Sequence, residues 1–203
     1  LSNAAAGLNL TSGSQLRQLG NGSVNLTGTS NLGRGIWVDA TTILQSANGA
    51  ITALGNSVIG AAAGGIGLAL DRGTTLTQSG SGNIGLTGVA NASTGLFING
   101  SSNVSQTGSG CLTLSGTSAA RWGLQLVGGS RLFQGGAGVV NVTGTSHVQS
   151  ANAAGIEVNV SWITQNGSGA LTLTGSSESS VGFWGQSNAT IAQHGNGSLN
   201  ITG

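Results

Sequence analysis

A repeat of about 29 residues runs the whole length of this chain, and it restricts the fold to architectures that stack one supersecondary unit on the next. The units align on Gly7-Leu8, Gly35-Ile36, Gly65-Ile66, Gly95-Leu96, Gly123-Leu124, Gly155-Ile156 and Gly182-Phe183, at spacings of 28, 30, 30, 28, 32 and 27 residues. Three segments recur in each. The first reads GLNL, GIWV, GIGL, GLFI, GLQL, GIEV and a degenerate GFWG. The second is an aliphatic residue followed two places later by glutamine: Leu16/Gln18, Ile43/Gln45, Leu76/Gln78, Val104/Gln106, Leu132/Gln134, Ile163/Gln165 and Ile191/Gln193. The third follows a Gly-x-Gly-like turn and alternates again, from Val24/Leu26 and Ile51/Ala53 to Leu171/Leu173 and Leu199/Ile201, usually closing on Thr-Gly.

Apolar-polar alternation over four or five positions is a strand signature. Three short strands per unit, joined by Gly, Asn and Ser turns, do not build a hairpin sheet that repeats in this way. Each unit is one rung, and every strand pairs in parallel with its counterpart in the next. The predicted fold is all-β: a right-handed parallel β-helix (β-solenoid) of about seven three-stranded rungs of 27–32 residues, spanning 1–203 as one domain. The hand follows the crossover preference of parallel strands.

Two columns of polar residues stand out. The glutamine lies two places from an inward aliphatic, so it also points inward, toward a corner. The expectation is an amide ladder in which Gln18, Gln45, Gln78, Gln106, Gln134, Gln165 and Gln193 bond to one another up the stack. The outward positions of the third strand form two rows, with Asn25, Thr52, Thr113 and Thr172 in one and Thr27, Thr87, Thr143 and Thr174 in the other. A Thr-rich flat face is a candidate ice-binding surface, although threonine also suits any solvated sheet. Between the third strand and the next unit lie stretches of varying length: 29–34, 56–64, 89–94, 117–122, 145–154 and 176–181. They hold or adjoin Arg34, Arg121, Trp122, His147 and Glu178, and form the candidate recognition edge. Trp37, Trp162 and Trp184 alternate with inward aliphatics and are placed outward, where an indole can stack on a sugar, cover a neighbouring subunit or pack on the adjacent bend.

Composition decides which chemistry to expect. Only 4% of residues are charged, lysine is absent and the net charge is +1, so nothing draws the chain to nucleic acid or an anionic membrane. No apolar run reaches the length of a membrane helix. The acidic residues are Asp39, Asp71, Glu157 and Glu178, and only Asp39 and Asp71 fall in adjacent rungs, with Arg72 as the natural partner of Asp71. A two-carboxylate glycosidase pair is therefore a weaker reading than isolated surface charges. Cys111 stands alone, the two histidines lie about one and a half rungs apart, and no phosphate-loop or calcium-repeat motif is present. The expectation is no catalytic residue, no cofactor and no metal.

The stretches GNGSVNLTGTS, GSGNIGLTG, GSGCLTLSGTS and GSGALTLTGSS resemble the repeats of large bacterial surface exoproteins, the filamentous-haemagglutinin-like two-partner-secreted adhesins and autotransporter passengers. The resemblance covers all seven units. It implies a secreted, extended, cell-surface protein used in adhesion or biofilm, without catalytic residues. Its partners would be neighbouring repeats or further copies end to end, and host-cell or matrix glycans or proteins. The chain begins in a variable stretch and ends on Thr202-Gly203, in phase with its start; it is read as a piece of a longer repeat protein or as a filament subunit. The expected function is a structural and adhesive fibre segment. The alternatives are a carbohydrate-binding or carbohydrate-cleaving β-helix and an ice-binding solenoid.

Overall fold

The computed structural model describes residues 6–58, 64–148 and 153–203. They coil into a β-solenoid of three parallel sheets, each of seven strands and each built from one strand per rung. The first sheet comprises Leu8–Leu10, Ile36–Asp39, Leu68–Asp71, Leu96–Ile98, Leu124–Leu126, Ala154–Asn159 and Val181–Gln186. The second comprises Gln15–Gln18, Thr42–Gln45, Thr75–Gln78, Asn103–Gln106, Arg131–Gln134, Trp162–Gln165 and Thr190–Gln193. The third comprises Val24–Ser30, Ile51–Ser57, Ile84–Ala90, Leu112–Ser118, Val140–Ser146, Leu171–Ser177 and Leu199–Thr202. With rungs ~4.8 Å apart the stack is roughly 34 Å long. No helix long and apolar enough to cross a membrane occurs among the described residues.

One core fills the coil. Leu26, Ala53, Leu86 and Leu114 pair in direct register and line a single row, and one cluster of buried aliphatics from all three sheets joins Val24 to Leu173. A parallel ladder leaves each strand's amides and carbonyls to be satisfied by the rungs above and below. The hydrogen bonds therefore run along the axis while the aliphatics pack across it.

The structure corrects two boundaries. Rung three begins at Gly67-Leu68, not Gly65-Ile66: Leu68 pairs with Ile36 on one side and Leu96 on the other. The sequence Gly65-Ile66-Gly67-Leu68 offers two starts two residues apart. A two-residue slip keeps every side chain on its own face, so alternation could not choose between them. Packing does. A Cβ on Gly67 would run into the backbone of Val89 and Gly95, as one on Gly35 would into Asn56 and Gly67.

The third strands also continue past the Thr-Gly on which the alternation closes. Thr29 and Ser30 pair with Asn56 and Ser57, and the same two positions remain paired up to Thr145-Ser146 and Ser176-Ser177. The glycine is not a turn. It lies mid-strand where the third sheet crosses the start of the first: a Cβ on Gly116 would overlap the carbonyl oxygen of Gly123 and sit 2.7 Å from its carbon. The variable stretches are shorter by these two residues. Of the two longest, 59–63 and 149–152 lie outside the described residues.

Candidate functional site

The glutamine column is in register from Gln18 to Gln193, and Gln45, Gln78, Gln106, Gln134 and Gln165 are fully buried. Their hydrogen bonds do not run from amide to amide. Gln78 Nε2 donates to the carbonyls of Ala47 (2.8 Å) and Gly49 (2.7 Å) in the preceding rung, while its Oε1 accepts the N–H of Gly80. Gln45 repeats this with Gly20, Gly22 and Ala47, and Gln165 with Gly138 and Gly167. Each of the five buried amides therefore ties its own turn to the one below. The backbone wins because the bend leaves carbonyls and N–H groups without ladder partners, and an inward-facing amide is the nearest group able to satisfy both kinds.

A second column of side chains also satisfies the bends. The residue just before each second strand is a hydroxyl in six rungs, Ser14, Thr41, Thr74, Ser102, Ser130 and Ser161, with Ala189 in the seventh. Five of these hydroxyls donate to carbonyls of the same bend at 2.6–3.0 Å. The signal was present at one fixed position, but in a chain so rich in Ser and Thr it did not stand out.

The outward Thr/Asn rows are where the alternation put them. Asn25, Thr52, Gly85, Thr113, Asn141, Thr172 and Asn200 pair in sequence, as do Thr27, Leu54, Thr87, Ser115, Thr143, Thr174 and Thr202. Exposed Leu54 and the bare Gly85 interrupt the array.

Asp39 and Asp71 face each other across rungs two and three. Arg72 does not pair with its neighbour Asp71; its guanidinium grips Asp39 with two nitrogens, Nε lying 2.5 Å from Oδ1. Arg72 has positive φ (48°) at the bend, and its side chain reaches back over the preceding rung to Asp39. Asp71 Oδ1 instead accepts the Arg72 backbone N–H (3.0 Å) and Asn99 Nδ2 (2.9 Å). Arg34 lies 4.3 Å from the centre of the Trp37 ring and Arg72 5.8 Å. Burial pushes the Arg34 guanidinium below its usual value, against the pull of Asp71 and Asp39, while the hydrogen bond and charge of Asp39 raise Arg72. Trp37 is thus packed on the adjacent bend. Both carboxylates of this cluster are already held by donors.

Glu157 is outward on the first sheet yet buried. Its carboxylate accepts Gln125 Nε2 (2.6 Å) and Gln186 Nε2 (2.7 Å), and Gln125 in turn accepts the Thr94 hydroxyl (2.8 Å). This polar chain, like the Arg34–Trp37 contact, shows residues of the variable stretches lying on the first sheet's outer face. His147 and Glu178, from two such stretches, meet at 2.9 Å. Among the described residues, no three His, Cys, Asp or Glu side chains converge as a metal site would require.

The second sheet's outer face carries a cleft. Asn103, Arg131 and Trp162 stack directly above one another and, with Ser101 and Gly129 from the adjoining bend, line an open cleft of about 420 Å³. Trp162 is 41% exposed. The alternation placed Trp162 outward but gave no reason to group it with Asn103 and Arg131, which lie in other rungs. Comparison of the chain with protein-family models, with curated proteins and with solved structures found no match to any of them.

Proposed function

We propose that this chain is a structural and adhesive segment of an extracellular repeat fibre, of the kind represented by filamentous-haemagglutinin-like and autotransporter surface proteins. The observation that carries the reading is the unbroken register of seven rungs, each tied to the last by the same glutamine-to-glycine bonds. A solenoid of this type lengthens by adding rungs without any new kind of contact. The outer faces offer hydroxyls, amides and isolated aromatics in fixed rows, which suits repeated weak contacts with a surface.

Display of the chain on a non-adherent bacterium tests the proposal. Retention on epithelial cells or matrix-coated glass should exceed that of an unrelated domain displayed at equal density, and electron micrographs of the purified chain should show rods. Retention no better than the control would remove the adhesive role. The in-register Thr/Asn rows support ice binding as a second reading, and a thermal-hysteresis measurement decides it.

A further inference from the structure

We propose that the cleft formed by Asn103, Arg131 and Trp162 binds acidic sugar residues, the carboxylate on Arg131 and a pyranose face on Trp162. The argument begins with the three side chains, which stand in one outward row on successive rungs. Rung spacing alone puts the outer two roughly 9.6 Å apart, space for two pyranose rings placed along the axis.

Each group supplies a different part of the recognition. Trp162 presents an exposed indole from a sheet strand, an apolar plate on which a sugar face can stack. Arg131 is exposed and, among the described residues, has no carboxylate partner. Its guanidinium lies 5.7 Å from the centre of the Phe133 ring, a contact that steadies the side chain while leaving its N–H edge free for a two-point grip on a carboxylate. Of the other arginines, Arg72 is held by Asp39, Arg34 lies on Trp37 and Arg121 on the ring of Trp122 at 4.2 Å, while exposed Arg17 stands in the first rung beside Leu44, away from the cleft.

Asn103 completes the set. Its Oδ1 is buried and accepts no hydrogen bond, a state that is costly to maintain. A half-turn about χ2 would bring Oδ1 to the cleft, where a sugar hydroxyl can donate to it, and leave Nδ2 in its place. Gly129 keeps the wall low at the bend, with φ of 79°. The combination of a cation, an aromatic plate and an amide favours a carboxylated sugar, a uronate or a sialic acid, over a neutral one. The site does not depend on the fibre reading.

Fluorescence titration of the full chain tests it, using trigalacturonate, sialyllactose, neutral maltotriose and acetate as probes. At least one acidic sugar should change the emission saturably, and Trp162→Ala should abolish the change. Arg131→Gln should weaken the acidic sugar by about tenfold, equivalent to about 1.4 kcal/mol, and leave maltotriose unaffected. Raised salt should weaken it as well. Arg131 and Trp162 are exposed, so the variants should keep the β-sheet circular dichroism; Trp162→Phe serves if the alanine variant does not. Equal binding of acidic and neutral sugars, competition by acetate at the same concentration as the sugar, or unchanged affinity in Arg131→Gln would each overturn the proposal. Such a failure leaves the rod and its retention on cells intact, because other faces can supply them.

Discussion

Replacing Gln78 with leucine isolates the contribution of the staples, because it keeps the side chain apolar-sized and buried while removing three hydrogen bonds at once. Two of these cross to the rung below, at Ala47 and Gly49, and one closes its own turn at Gly80. At about 1 kcal/mol net per bond, the loss is about 3 kcal/mol. The buried Gly49 carbonyl, left without its donor, adds to the loss, and the extra apolar burial of leucine offsets part of it. Gln18 is the internal control. It is only half-buried, and among the described residues it has one side-chain bond, the Gly20 N–H donated to its Oε1 at 3.1 Å, with no rung below it to grip, so Gln18→Leu should cost less than about 1 kcal/mol. Urea unfolding followed by far-UV circular dichroism measures both. Small and equal losses at the two positions would refute the idea that the amides, rather than core packing alone, hold successive turns together.

Glutamate at position 78 extends the same test. A carboxylate facing two carbonyls is held well above the ordinary value of about 4.3. Its protonated form folds best, so Gln78→Glu should be most stable below about pH 4 and lose stability as the pH rises through the raised value. The parent chain, with an amide there, should show no such transition from this position.

Three further outcomes are expected from the same unfolding assay. Gly116→Ala should cost about 3 kcal/mol or more, since the new methyl meets backbone at Gly123 that cannot move aside. Gly85→Ala, whose methyl would meet only Thr52 Cγ2 at 3.8 Å, should stay within about 0.5 kcal/mol of the parent. Val160 holds φ at 49°, a conformation disfavoured for a β-branched residue, and its side chain is largely exposed; Val160→Gly should therefore stabilise the chain by about 1 kcal/mol, and a loss instead would show that its methyls pack usefully at the bend.

The sites divide by how local their causes are. Trp162 could be placed outward from its own strand, but grouping it with Asn103 and Arg131 required the register of three rungs. Adjacency in sequence points Arg72 to Asp71, whereas across the bend it reaches Asp39 in the rung below. The buried state of Glu157 likewise depends on Gln125 and Gln186, residues about one rung away on either side. Contacts of that range carry no signature in any single segment.

The period, the three strands per rung, the single aliphatic core and the inward glutamines were all determined by sequence, because each depends on which face of its own strand a side chain occupies. Tertiary structure alone decided the start of rung three, the length of the third strands and the partners of the glutamines. Those depend on how closely one rung's backbone approaches the next. Alternation is unchanged by a two-residue shift, whereas a glycine carbonyl in van der Waals contact with its neighbour admits only one alignment.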